Sequence, residues 1–73
     1  LNESGSPVLK KRSFTLSGHR TSVALEAEFW AVIDQAAQSE GKSLAALVAR
    51  IDASRGARPL ASALRLYALA AKP

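Results

Sequence analysis

His19 is the only imidazole in the chain and cysteine is missing altogether, so the side chains that usually carry nucleophilic, redox or metal chemistry are scarce. A lone His cannot complete a tetrahedral zinc site, and no carboxylate stands beside it in sequence to make a catalytic set. No metal, no cofactor and no enzymatic activity are expected. The groups that remain are cations and hydroxyls: Lys10, Lys11 and Arg12 in a row, Arg20 with Thr21 and Ser22, and Lys42 with Ser43. An arginine fork can bond O6 and N7 of guanine, a serine can bond a base edge, and a lysine beside free helix-start N–H groups suits a phosphate. Their common chemistry is the binding of a polyanion.

The charge balance agrees. The chain has 73 residues and a net charge of +4, with ten Lys and Arg against six Asp and Glu. Residues 1–22 and 53–73 are both net basic, whereas residues 23–52 are net acidic, so the positive charge sits at the two ends. Apolar residues make up 48% of the chain, mostly Ala and Leu, which is helical composition. No apolar run approaches the roughly 18 residues of a membrane span, and no signal-peptide core is seen, so a cytoplasmic location is expected.

Three kinds of element must position these groups. Ser13 to Leu16 alternates hydroxyl and apolar side chains and then meets the breaker Ser17-Gly18. His19 to Leu25 places Thr21, Val23 and Leu25 on one face of an extended chain and Arg20, Ser22 and Ala24 on the other. From Glu26 the period becomes helical, with Phe29, Trp30 and Ile33 on the apolar side and an end at Gly41. Ser43 caps a second helix carrying Leu44, Leu47, Val48 and Ile51 at helical spacing, stopped by Gly56. A third helix is predicted over 59–71, with Pro59 in its first turn and Arg65 as its one charge. Residues 1–12 are expected to form a flexible basic arm, and 13–73 the folded domain.

An isolated strand needs a partner, either the Phe14 segment or the same strand of a second chain. One strand and two short helices bury little on their own, which favours the second option: an intertwined homodimer with an intersubunit two-stranded antiparallel ribbon. Such a ribbon has the width to enter the major groove of DNA. Val23, Leu25, Phe29, Trp30, Ile33, Leu44, Leu47, Val48 and Ile51 are then the dimer core.

The stretch HRTSVALEAEFWAVIDQAAQSEGKSLAALV resembles the ribbon-helix-helix family of DNA-binding proteins, over about residues 19–55, and the Ala-Leu-Arg-Leu-Tyr at 63–67 extends the likeness into the third helix. The resemblance implies a mostly α fold and a sequence-specific transcription regulator of bacterial type that binds double-stranded DNA as a homodimer. It makes Arg20, Ser22 and Thr21 candidate base readers, although alternation puts Thr21 on the packed face. Lys42 and Ser43 become candidate phosphate clamps, with Lys10, Lys11, Arg12 and His19 as further backbone contacts. Ala24 departs from the family, whose third outward strand position is often polar. A helix-turn-helix reader fits poorly, because the second helix shows only Ala45, Ala46, Ala49 and Arg50 outside its stripe. The alternative function is a protein-interaction module, such as an antitoxin or dimeric adaptor, using the apolar third helix on a protein partner.

Overall fold

A computed structural model describes residues 8–72. Strands β1 (Leu9–Leu16) and β2 (His19–Glu26) are followed by helices α1 (Ala27–Glu40), α2 (Leu44–Ser54) and α3 (Leu60–Ala71). The two strands form one antiparallel hairpin, with Leu16 opposite His19, Phe14 opposite Thr21, Arg12 opposite Val23 and Lys10 opposite Leu25. Its turn is Ser17-Gly18, with φ of 52° and 80°. Two consecutive positive φ values define the type I′ turn, whose twist matches that of the strands it joins.

Within the chain β2 pairs with β1, the Phe14 segment that the sequence offers as one of its two partners. The basic triplet belongs to this ribbon as well: Leu9 to Arg12 are β1 residues, not part of an arm. The physical reason lies in the contacts of the triplet. Trp30 donates its indole N–H to the Lys10 carbonyl at 2.7 Å, the Arg12 guanidinium lies 4.7 Å from the Trp30 ring centre, and Arg12 forms a two-pronged pair with Asp34 at 2.9 and 3.3 Å. α1 thus holds β1 down. Residues 1–7, the rest of the expected arm, lie outside the described residues.

The inner face of the hairpin contributes Phe14, Leu16, Val23 and Leu25 to the core, and the helices contribute Trp30, Ile33, Ala37, Leu47, Val48, Ile51, Ala63, Leu64 and Ala68. All of these are buried by this single chain. Of the residues expected in the core, Val23, Leu25, Trp30, Ile33, Leu47, Val48 and Ile51 are buried, and Phe29 and Leu44 are partly buried at its margin. The sequence reading underestimates this core because it leaves out β1, which adds Phe14 and Leu16, and α3, which packs on α1, α2 and β2. On α3, Leu66 and Leu69 remain 46% and 59% exposed.

Helix ends follow their sequence signals. Gly41 takes φ 67° after α1, and Lys42 N–H bonds back to the Ala37 carbonyl at 2.9 Å, the paired closure that a left-handed residue permits. Ser43 Oγ accepts the Ala46 N–H at 3.1 Å and so caps α2.

Two carboxylates tie the helices together. Glu26, at the end of β2, pairs with Arg65 of α3 at 3.0 and 3.4 Å. Glu40, at the end of α1, accepts from Arg50 of α2 at 2.9 and 3.3 Å and from the Tyr67 hydroxyl of α3 at 2.9 Å. Hydrogen bonding to Arg65 holds the Glu26 carboxyl below its ordinary value of 4.5, and hydrogen bonding to Arg50, then Tyr67, does the same for Glu40. Desolvation, then the bond to Glu40, pushes the Tyr67 hydroxyl up. A carboxylate with a depressed pKa stabilises the fold above its unfolded value, and that contribution is lost as pH falls through the folded value. The thermal midpoint is therefore expected to drop as acid is added below pH 4.5, and Glu40→Gln should flatten part of that drop in a pH series of melting curves.

Candidate nucleic-acid interface

Alternation along the hairpin sorts its side chains into two faces. One row, including Phe14, Leu16, Val23 and Leu25, packs against the helices; the other, Lys11, Ser13, Thr15, Arg20, Ser22 and Ala24, faces away from them. All of the outer residues but Ala24 are exposed. Ser13 and Ser22 are directly opposite, and their hydroxyls are 2.9 Å apart. Thr15 and Arg20 are opposite too, with the guanidinium donating to Thr15 Oγ1 at 3.4 Å. Between Lys11 and Ala24 this face has no carboxylate; Glu26 beyond it is already paired with Arg65. The result is a cationic, hydroxyl-rich strip on a two-stranded ribbon, suited to hydrogen bonding with base edges and phosphates and carrying no catalytic set.

Among the expected site residues, Arg20 and Ser22 stand together on this outer face. Thr21 does not: it lies on the inner face opposite Phe14, half-buried, which makes it a packing position. Arg12 also faces the helices and is occupied by Asp34 and Trp30, so its guanidinium is not a free phosphate contact. Lys10 is exposed on the same side, and His19 is exposed next to the turn. Lys42 and Ser43 sit in the α1–α2 turn, where Lys42 Nζ lies 3.6 Å from Glu40. Among the described residues no hydrogen bond or ion pair joins that turn to the hairpin.

Residues 9–71 match the family described as ribbon-helix-helix domain. The chain belongs to the ribbon-helix-helix family. Neither a curated protein nor a solved structure matches it. Ribbon-helix-helix proteins as a family bind DNA, generally as dimers, and serve as transcription regulators or antitoxins; the domain is a regulatory DNA-binding fold.

In this ribbon-helix-helix chain, sequence reasoning misses Lys11, Ser13 and Thr15 as members of the outer face. The signal is present: Ser13 and Thr15 alternate with Phe14 and Leu16, and a two-residue Ser-Gly step follows. Among the described residues no cluster of His, Asp and Glu could hold a metal ion. None of the helices is long and apolar enough among those residues to cross a membrane.

Proposed function

We propose that this protein is a sequence-specific transcription regulator that reads the major groove of double-stranded DNA with a dimeric β-ribbon and acts as a homodimer in the bacterial cytoplasm. The observation that carries the reading is the outer face of the hairpin, where Arg20, Ser22, Ser13, Thr15 and Lys11 converge without a carboxylate. Base edges in the major groove offer acceptors to Arg and both partners to hydroxyls, and the groove is about 12 Å wide. A two-stranded ribbon fits that width. The homodimer draws support from the edges of the hairpin, unpaired among the described residues, and from Leu66 and Leu69 exposed on α3.

Selection of bound sequences from random duplex DNA tests the reading. A palindromic consensus is the expected outcome; a bound pool without sequence preference overturns it. The same α3 residues favour a second reading, a protein-interaction module of antitoxin or adaptor type. That reading requires a stable complex with a second protein species, whereas the regulator requires only a dimer and DNA. Sedimentation of the purified chain with and without the selected duplex separates the two.

Lys42 and Ser43 are placed in this proposal as a phosphate clamp. The first-turn N–H groups of α2 have no helical carbonyl to bond, and Ser43 satisfies only that of Ala46. Glu40 competes for the Lys42 ammonium, but it is also bonded by Arg50 and Tyr67. Lys42→Ala is expected to weaken binding to specific and random duplexes by a similar factor. It should also lower the slope of log affinity against log salt by about 0.9, the value for one phosphate that is no longer neutralised. An unchanged salt slope would remove Lys42 from the residues that touch the DNA backbone.

A further inference from the structure

Lys42 is the one cation of the turn between α1 and α2, and its backbone has little freedom there. Its N–H is bonded to the Ala37 carbonyl at 2.9 Å, Gly41 before it takes a left-handed φ of 67°, and Ser43 after it caps α2 through the Ala46 N–H at 3.1 Å. Only the side chain is left to move. We infer that Glu40 and Tyr67 are positioning residues for the Lys42 ammonium: Glu40 draws it away from a phosphate at the start of α2, and Tyr67 of α3 weakens that draw by bonding the same carboxylate. The inference deepens the phosphate-clamp assignment above and rests on it.

A carboxylate offers about four lone-pair sites, two on each oxygen. Arg50 donates to both oxygens of Glu40, to Oε1 at 2.9 Å and to Oε2 at 3.3 Å, and the Tyr67 hydroxyl takes a second place on Oε2 at 2.9 Å. Lys42 comes last. Its Nζ lies 3.6 Å from Oε1, within ion-pair distance but longer than a hydrogen bond, so Glu40 holds it by charge alone. The Lys42 and Glu40 side chains are 39% and 33% exposed, and an ion pair so open to water shifts an equilibrium by only about 1.5- to 5-fold. A phosphate seated on the free first-turn N–H groups of α2 can therefore compete for the ammonium.

Tyr67 belongs to a helix that supplies no residue to the α1–α2 turn. Its hydroxyl is a neutral donor, and by bonding Oε2 it stabilises the carboxylate charge without adding a cation. Without that bond, Glu40 is left to Arg50 and Lys42. Tyr67 is partly buried and packs against the core, so its position follows the seating of α3 on the other helices. The third helix is thereby connected to the affinity for the DNA backbone through two contacts, Tyr67 to Glu40 and Glu40 to Lys42.

The test uses the full chain on the selected duplex and on a random duplex of equal length, at several salt concentrations. Glu40→Gln is expected to tighten binding to both about 1.5- to 5-fold, the range of an exposed ion pair. In a Lys42→Ala background the same change should gain clearly less, because a general loss of negative charge acts with or without Lys42, whereas its release needs Lys42. Tyr67→Phe leaves the net charge unchanged. It is expected to weaken binding to both duplexes within the same range, and to do nothing in the Lys42→Ala or the Glu40→Gln background. Circular dichroism at the assay temperature verifies that each variant is folded, and Tyr67→Phe with and without Lys42→Ala carries the test alone if Glu40→Gln does not fold. Additive effects in either cycle overturn the inference, and so does wild-type affinity in Tyr67→Phe. A Lys42→Ala chain that keeps the wild-type salt slope removes the clamp itself, and the inference with it.

Discussion

Trp30→Ala is expected to cost about 3–5 kcal/mol of folding stability, the range for deleting a buried large aromatic side chain. Trp30 is 2% exposed and sits where α1 meets β1. The substitution removes the ring packing on Phe14, whose centroid is 6.0 Å away, and the surface beneath the Arg12 guanidinium. It also deletes the N–H that bonds the Lys10 carbonyl. In a small domain each kcal/mol moves the thermal midpoint by roughly 4–8 °C, so the midpoint should fall by at least about 12 °C. Trp30→Phe keeps most of the packing and loses the hydrogen bond, and its loss should be nearer 1 kcal/mol from that bond, plus a packing term. Phe29, half-buried at the margin of the core, gives the comparison: Phe29→Ala should cost clearly less. Thermal denaturation followed by helical circular dichroism checks the ranking. Equal losses at the two positions would mean that Trp30 does not anchor β1.

That anchoring explains why the helices and β2 are readable in the sequence and β1 only in part. The helices announce themselves through apolar spacing and their end signals: Gly41 and Gly56 close α1 and α2, and Ser43 opens α2. β2 alternates cleanly, with Val23 and Leu25 inward. β1 alternates as well, but its inward row runs Lys10, Arg12, Phe14, Leu16, so half of it is charged. A basic triplet reads as a solvated arm unless its partners are known, and those partners, Trp30 and Asp34, are about twenty residues away. Nothing local in the sequence specifies that Arg12 will lie over an indole ring. With residues 1–12 read as an arm, only Ser13 to Leu16 remains as an intrachain neighbour for β2 and the core looks small for one chain, which favours a ribbon shared between two.

The outer face is half legible for the same reason. Arg20 and Ser22 follow from the alternation of β2 alone, whereas Ser13 and Thr15 become members of the same strip only when the hairpin register places them opposite Ser22 and Arg20. Thr21 shows the converse. Its neighbours suggest a reading role through family likeness, but strand parity sends it toward Phe14, and parity decides which side of a ribbon a residue occupies.

Arg20→Ala is expected to cost about 1–3 kcal/mol on the preferred DNA site and to flatten the base preference at one position per half-site, while the chain stays folded. Arg20 is exposed and contributes nothing to the core, which is supplied on the opposite face by Val23, Leu25, Phe14 and Leu16. Among the described residues no carboxylate pairs with its guanidinium, whose hydrogen bond is to the neutral Thr15 hydroxyl, so full charge is available to a ligand. Other cations of the chain are differently placed: Arg12, Arg50, Arg55 and Arg65 are all paired with Asp or Glu. A planar fork making two hydrogen bonds to guanine discriminates among bases, whereas a bond to phosphate does not. The two roles separate in one experiment. Removing a base reader reduces affinity for the selected duplex far more than for a random one, and removing a phosphate ligand reduces both alike. Arg20→Lys sharpens the comparison, because it keeps the charge and loses the fork, so it should retain binding to random DNA and still lose the base preference. Equal losses on both duplexes for Arg20→Ala, with Arg20→Lys like the wild type, would make Arg20 an electrostatic contact and move base reading elsewhere on the hairpin.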